Sequence, residues 1–255
     1  MTYCLGILTN SGLVMAADSR TNAGVDYIST YQKLFDFSSP GERVLILCCS
    51  GNLSITQNVI ALLKKDLKLP EDTNLHTLPT LFEVARYIGS KIRLAQEQDR
   101  TWMEKDKIDV KCSFLMGGQI CGEEPGLYLI YSQGNCIHAT QETPFLQIGE
   151  TKYGKPILDR TITYETSLNH AAKCVLLSLD STMKSNISVG PPINIILYKS
   201  DTFKIQHQLQ LPLGDPYLAK IRKSWELSVK EAFALMPDIE WQTESNSSGN
   251  EVFID

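Results

Sequence analysis

Residues 2–20 read TYCLGILTNSGLVMAADSR. Two apolar runs, 2–8 and 13–17, flank the turn-rich Thr9-Asn10-Ser11-Gly12, which is the composition and spacing of a β-hairpin. The polar residues 18–24 mark where the second strand stops. The chain therefore opens on a hairpin with a threonine at its first position, directly behind Met1, and an aspartate where the second strand ends. In an antiparallel hairpin the end of strand two lies beside the start of strand one, so Asp18 is expected close to Thr2.

Working outward, Lys33-Leu34-Phe35-Asp36-Phe37 alternates like a half-buried strand opened by a lysine, and Val44-Leu45-Ile46-Leu47-Cys48-Cys49 reads as a fully buried one. Ser50-Gly51-Asn52 breaks the pattern, and Ile55, Val59, Leu62, Leu63 and Leu67 then recur at helical spacing up to Pro70. Leu81, Val84, Ala85, Ile88, Ile92 and Ala95 predict a second helix that runs out over 96–100, followed by a polar loop to Lys111. Strands are expected over 112–116, 127–131, 136–139 and 145–148, then a short segment 156–160 and a helix over 168–183. Strands over 193–198 and 203–211 precede a long amphipathic helix over 217–236, with Leu218, Ile221, Trp225, Val229 and Phe233 on or near one face.

Blocks of strands alternating with blocks of helices do not fit a parallel βαβ sheet, in which the two alternate singly. Two antiparallel sheets with helices on their outer faces fit: an α+β, four-layer α-β-β-α sandwich. A chain of 255 residues suits one large domain, read here as 1–241 with a polar, mobile tail over 242–255.

Composition removes several function classes. A formal net charge of -5 offers no basic footprint for nucleic acid and no polybasic patch for an anionic membrane. The longest apolar run, 44–49, is far too short to cross a bilayer. No Lys or Arg precedes Arg20, which argues against a secretory signal. The seven cysteines are odd in number, lack CxxC spacing and lie mostly in apolar runs, as expected of reduced thiols in a cytoplasm. The four histidines are scattered and form no ligand-spaced pair, so neither a metal nor any other cofactor is expected.

What chemistry remains centres on Thr2. Removal of Met1 would leave one residue carrying both a hydroxyl and a free α-amine, whose ordinary pKa near ~7.7 suits a general base. Such an amine activates the hydroxyl without a histidine. A lysine beside it favours the deprotonated amine, and Asp18 would keep Lys33 oriented. Gly51, between a buried strand and a helix, can turn its N–H toward a developing oxyanion. Taken alone, Asp18 and Lys33 also read as surface charges, and Gly51 as a plain turn glycine.

Taken together, Thr2, "GLVMAADSR", the lysine opening the third strand and "CSGNLS" at 49–54 resemble the β-type subunits of the proteasome, most closely the bacterial proteasome-like Anbu family. The resemblance returns at "IGETKYGKPILDR" (148–160) and "SNISVGPPINIILY" (185–198), so it covers most of the chain. It implies an N-terminal-nucleophile hydrolase fold assembled into homo-oligomeric rings or open spirals. It also implies Thr2 as nucleophile, Lys33 and Asp18 tuning its amine, Gly51 as oxyanion donor, and a peptide or protein substrate added as a strand along Asn22 and Gly51.

Two positions depart from the proteolytic pattern. Where relatives carry a serine near the second glycine-rich turn, this chain has Gly149-Glu150; in the Asp-x-x-Ser element Ser188 matches, but Ser185 occupies the aspartate position. A catalytically silent scaffold of the same fold is therefore the rival reading, and a monomeric domain with unrelated ligands a third. No ATP-binding motif occurs, so energy-driven unfolding would need a partner ATPase.

Overall fold

The computed structural model describes residues 1–22, 28–69 and 72–241, so the tail proposed over 242–255 and Pro70 lie outside the described residues. Its first half runs β1 (Tyr3–Thr9), β2 (Gly12–Ala17), β3 (Arg20–Asn22), β4 (Ile28–Thr30), β5 (Leu34–Asp36), β6 (Arg43–Gly51), α1 (Leu53–Asp66) and α2 (Leu81–Lys105). The second half runs β7 (Cys112–Ile120), β8 (Gly126–Ile130), β9 (Cys136–His138), β10 (Phe145–Gly149), α3 (Lys155–Thr161), α4 (Leu168–Ser185), β11 (Ile193–Lys199), β12 (His207–Leu211) and α5 (Pro216–Ala234).

The strands form two five-stranded antiparallel sheets, ordered β10-β1-β2-β11-β12 and β5-β6-β7-β8-β9, with β3 and β4 as a separate two-stranded ribbon. Strand periodicity divides the core. On β1, Cys4 and Leu8 join Leu13 and Met15 of β2 against Val44, Ile46 and Cys48 of the other sheet. Tyr3, Leu5 and Ile7 turn the other way, into the layer with Val175, Leu176 and Leu179 of α4. Leu45 and Leu47 of β6 pack outward against Ile55, Val59 and Ile88 of α1 and α2. The result is the expected α-β-β-α sandwich. Each fully buried large side chain contributes roughly 1.5–3 kcal/mol, which makes any charge buried in these layers costly and worth explaining.

The differences from expectation are local. The β3–β4 ribbon lies where only a polar strand end was read, because three-residue strands carry no periodicity of their own. Helix α2 continues to Lys105 rather than fading by Arg100, with Arg100 bridging Glu97 and Glu104 one turn away on either side. It begins on a side-chain N-cap, the Glu83 N–H donating to Thr80 Oγ1 and that hydroxyl to Glu83 Oε2. Strand β12 starts at His207, not 203, since Phe203 takes a left-handed φ of 47° in the preceding turn. The segment around 156–160 is helix α3. Of the apolar face foreseen on α5 only Leu218 is buried, while Val229 and Phe233 stand exposed.

Candidate active site

Thr2 precedes β1 and sits half-buried at the mouth of the sandwich. The hairpin register continues past the strand ends: the Asp18 N–H donates to Tyr3 O at 3.2 Å, and the Tyr3 N–H returns to Asp18 Oδ1 at 3.0 Å. Asp18 is fully buried, and its Oδ1 also accepts from Lys33 Nζ at 2.9 Å. Its Oδ2 accepts the Gly190 N–H at 3.1 Å, from the loop after α4. Burial pushes the Asp18 carboxyl up from its ordinary range, while the Lys33 ammonium and the two N–H groups work against that push.

Lys33 is brought in by the sheet that faces β1. Its carbonyl accepts the Cys49 N–H of β6 at 3.0 Å, and its buried ammonium reaches Asp18 and the Arg20 carbonyl. The structure therefore brings Thr2, Asp18 and Lys33 to one point at the rim between the sheets. The pair is fully desolvated, so removing either partner would strand a buried charge at a cost of about 3–5 kcal/mol.

Gly51 closes β6 opposite Cys112, with φ at 103°. The next N–H, of Asn52, bonds Lys111 O at 2.9 Å, so by strand alternation the Gly51 N–H points away from β7, past the short end of β5. A side chain there would collide, since a Cβ would lie 2.4 Å from Lys111 O. A cleft of about 390 Å³ joins these groups, lined among others by Thr2, Thr21, Lys33, Cys49, Gly51 and Gly149. The Thr21 hydroxyl is buried on this wall without a hydrogen-bond partner among the described residues. Cys49 is wall rather than nucleophile, because burial pushes its thiol far up. Asn22 ends β3 next to Thr21 and opposite Ile28.

Met1 extends from the cleft and is exposed, and its amine feels the site. Burial first, then the Lys33 ammonium, hold that amine below its ordinary 8.0, while Asp18 and Glu150 act in the opposite direction.

Ser188 is half-buried in the loop after α4, where its N–H donates to Asn186 Oδ1 at 2.9 Å; its hydroxyl makes no hydrogen bond among the described residues. Ser185 ends α4 and is exposed. Sequence reasoning did not foresee Gly190 as a ligand of Asp18, nor the part played by Gly149 and Glu150. Gly149 pairs with Tyr3 at a φ of 84°, where a Cβ would lie 2.0 Å from Thr2 O. The Glu150 N–H donates to Thr2 O at 2.7 Å. The usable signal was the glycine ending an apolar strand, but the pairing of β10 with β1 spans most of the chain and leaves no local trace. Among the described residues no cluster of His, Cys, Asp or Glu side chains could hold a metal ion, and no helix is long and apolar enough to cross a membrane.

A sandwich of this kind, opened by a hairpin directly after a threonine, has the fold of the N-terminal-nucleophile hydrolases. The proteasome subunit family profile matches residues 2–197, and the chain belongs to that family, in its Anbu (ancestral β-subunit) branch. Anbu from Yersinia bercovieri is 44% identical, with a TM-score of 0.89 over 95% of this chain and 100% of its own. A Gly-1 mutant of Anbu from Hyphomicrobium sp. strain MC1 is 42% identical, with a TM-score of 0.88 over 94% of this chain and 100% of its own. Anbu from Pseudomonas aeruginosa is 40% identical, with a TM-score of 0.88 over 94% of this chain and 98% of its own, and forms a helical assembly. No curated protein sequence matches.

Proposed function

We propose that the chain is a threonine-type peptidase or amidase subunit of the cytoplasm that works after loss of Met1 and within a self-assembled ring or spiral. The observation that carries this reading is the buried Asp18–Lys33 pair, whose carboxylate also tethers the N–H of the residue following Thr2. A desolvated charge pair is weak as a stabilising device, and its position beside a terminal hydroxyl gives it a chemical use.

In this mechanism the Thr2 amine takes the proton from Oγ as Oγ adds to the substrate carbonyl. The developing oxyanion faces the Gly51 N–H, a donor fixed in place before reaction. Collapse of the tetrahedral species breaks the C–N bond, and the ammonium returns its proton to the departing amine. Water, deprotonated by the same amine, then hydrolyses the ester at Thr2 and frees the hydroxyl. The amine of Met1, one residue away, lies below its ordinary value, and the same burial and the same Lys33 would keep more of the Thr2 amine as free base at neutral pH than in an ordinary chain. A peptide would lie as a strand between Asn22 and Gly51, its side chain against Thr21 and Cys49, which favours small or moderately apolar residues.

Self-assembly is supported by the apolar side chains that α5 and its C-cap leave in solvent, among them Phe233 at 79% and Leu235 at 82% exposed, and by the helical assembly of the Pseudomonas aeruginosa relative. A second reading, a silent scaffold with the same fold, is favoured by the exposed Ser185, which leaves no carboxylate at that position of the site. The deciding experiment is hydrolysis of a panel of fluorogenic short peptides by protein shown by intact mass to lack Met1, beside its Thr2→Ala variant. Turnover that vanishes in the variant supports the peptidase. Turnover unchanged by the variant removes Thr2 from the mechanism, and none in either supports the scaffold.

A further inference from the structure

On the side of Thr2 away from Asp18 stands a second carboxylate. The β1–β10 register, Tyr3 opposite Gly149, sets Glu150 opposite Thr2, and the 2.7 Å bond from the Glu150 N–H to Thr2 O confirms the pairing. The Glu150 charge is close enough to act on the amine of Met1, one residue before Thr2. Glu150 is only 5% exposed, yet its charge is half-answered. Oε2 accepts from Asn186 Nδ2 at 3.1 Å, while among the described residues Oε1 meets only the Lys152 ammonium at 3.8 Å, outside hydrogen-bond reach. Lys152 itself is 76% exposed at its side chain, so water screens that attraction. A buried carboxylate with one neutral partner is costly unless a cation completes it.

We propose that Glu150, held by Asn186, is a positioning residue for the terminal amine: its free oxygen receives the α-ammonium of Thr2 once Met1 is gone. Asn186 orients the carboxylate from behind α4, and its own Oδ1 is occupied by the Ser188 N–H, which fixes the carboxamide so that Nδ2 points at Glu150. Loss of Met1 moves the chain's positive charge one residue inward, from Met1 to the residue paired with Glu150. The charges that act on the Met1 amine one residue away, and that would face the Thr2 amine, are Glu150 from the turn after β10, Asp18 from the end of β2 and Lys33 from the facing sheet, with Lys152 beside Glu150. Lys33 favours the free base that starts the reaction; Glu150 favours the ammonium that exists once the hydroxyl proton has moved.

This inference rests on Thr2 as the reacting residue, but it can be tested without turnover. In protein shown by intact mass to lack Met1, the rate of trace acetylation of the N-terminus by acetic anhydride is followed against pH, with the N-terminal peptide read by mass spectrometry. Glu150→Gln keeps the shape and the Asn186 bond but removes the charge, so the midpoint of the Thr2 amine should fall by about one pH unit. Asn186→Ala should move it the same way by less, and provides the reading if Glu150→Gln fails to fold. Glu150→Asp should restore part of the difference. A residue that merely supports the turn would leave the midpoint in place, and an unchanged midpoint in both the Gln and Ala variants overturns the proposal. If the midpoint moves but the unmodified protein hydrolyses nothing, the peptidase reading fails while this one stands. If the protein hydrolyses peptides and the midpoint does not move, only this one fails.

Discussion

The two flanks of Thr2 are built differently. Toward β2, Asp18 is saturated: one oxygen bonds Lys33 and the Tyr3 N–H, and the other the Gly190 N–H. Toward β10, Glu150 has one neutral hydrogen-bond partner and an oxygen that, among the described residues, meets the exposed Lys152 ammonium at 3.8 Å and makes no hydrogen bond. A saturated ion pair fixes geometry and contributes a standing field, whereas an unsaturated carboxylate can respond when a charge arrives or leaves. The contrast separates the part of the site that is finished in the folded chain from the part completed only by a free terminal amine.

The largest effect should come from removing the reacting atom. Thr2→Ala is expected to abolish peptide hydrolysis while leaving the melting temperature and assembly size unchanged, because the half-buried hydroxyl makes no hydrogen bond among the described residues; residual wild-type turnover would break the account. Lys33→Ala comes next. It should lower kcat/KM by about 100-fold or more and destabilise the fold by about 3–5 kcal/mol by stranding Asp18, measured by kinetics and denaturant titration. The double variant Asp18→Asn/Lys33→Met should recover much of that stability and none of the activity, which separates the pair's structural role from its chemical one.

The acid limb of kcat/KM would report the Thr2 amine and should lie below that of an ordinary α-amine, because burial and the Lys33 ammonium both disfavour the ammonium, as they do for the amine of Met1 one residue away. Lys33→Ala removes one of those influences and should move the limb to higher pH, so a limb that stays put would deny Lys33 its electrostatic role. Gly149→Ala and Gly51→Ala compare the two flanks through the backbone. Both positions have left-handed φ, and a Cβ would overlap Thr2 O or Lys111 O, so each should cost about 1–3 kcal/mol in unfolding experiments. Gly149→Ala should harm turnover more per unit of lost stability, since the atom displaced belongs to Thr2. Smallest, Thr21→Val should change the preference among cleaved peptides by less than about tenfold, through a wall hydroxyl that lacks a partner among the described residues.

Much of the saturated flank was legible in the sequence, because its signals are local. A hairpin places Asp18 beside Thr2, and a lysine opening an alternating strand is unusual enough to single out. Gly51 between a buried strand and a helix was legible for the same reason. The unsaturated flank was not, since Glu150 reaches Thr2 only through the β1–β10 pairing, and no periodicity within residues 145–150 reports which strand they will join. The resemblance even counted Glu150 as a departure, where the structure pairs its backbone with that of Thr2. Helix α5 shows the opposite limit: its amphipathic pattern is a true signal of a helix, but it does not say what covers the apolar face.

The central claim is that Thr2 becomes a hydroxyl and a free amine on one residue. Intact mass before and after incubation with a peptide epoxyketone tests it most directly, because that reagent closes its ring only on a residue bearing both groups. The account predicts a species lacking Met1 that gains one adduct and loses the ability to gain it in Thr2→Ala. A protein that keeps Met1, or loses it and is never modified, would contradict the claim and leave the scaffold reading in its place.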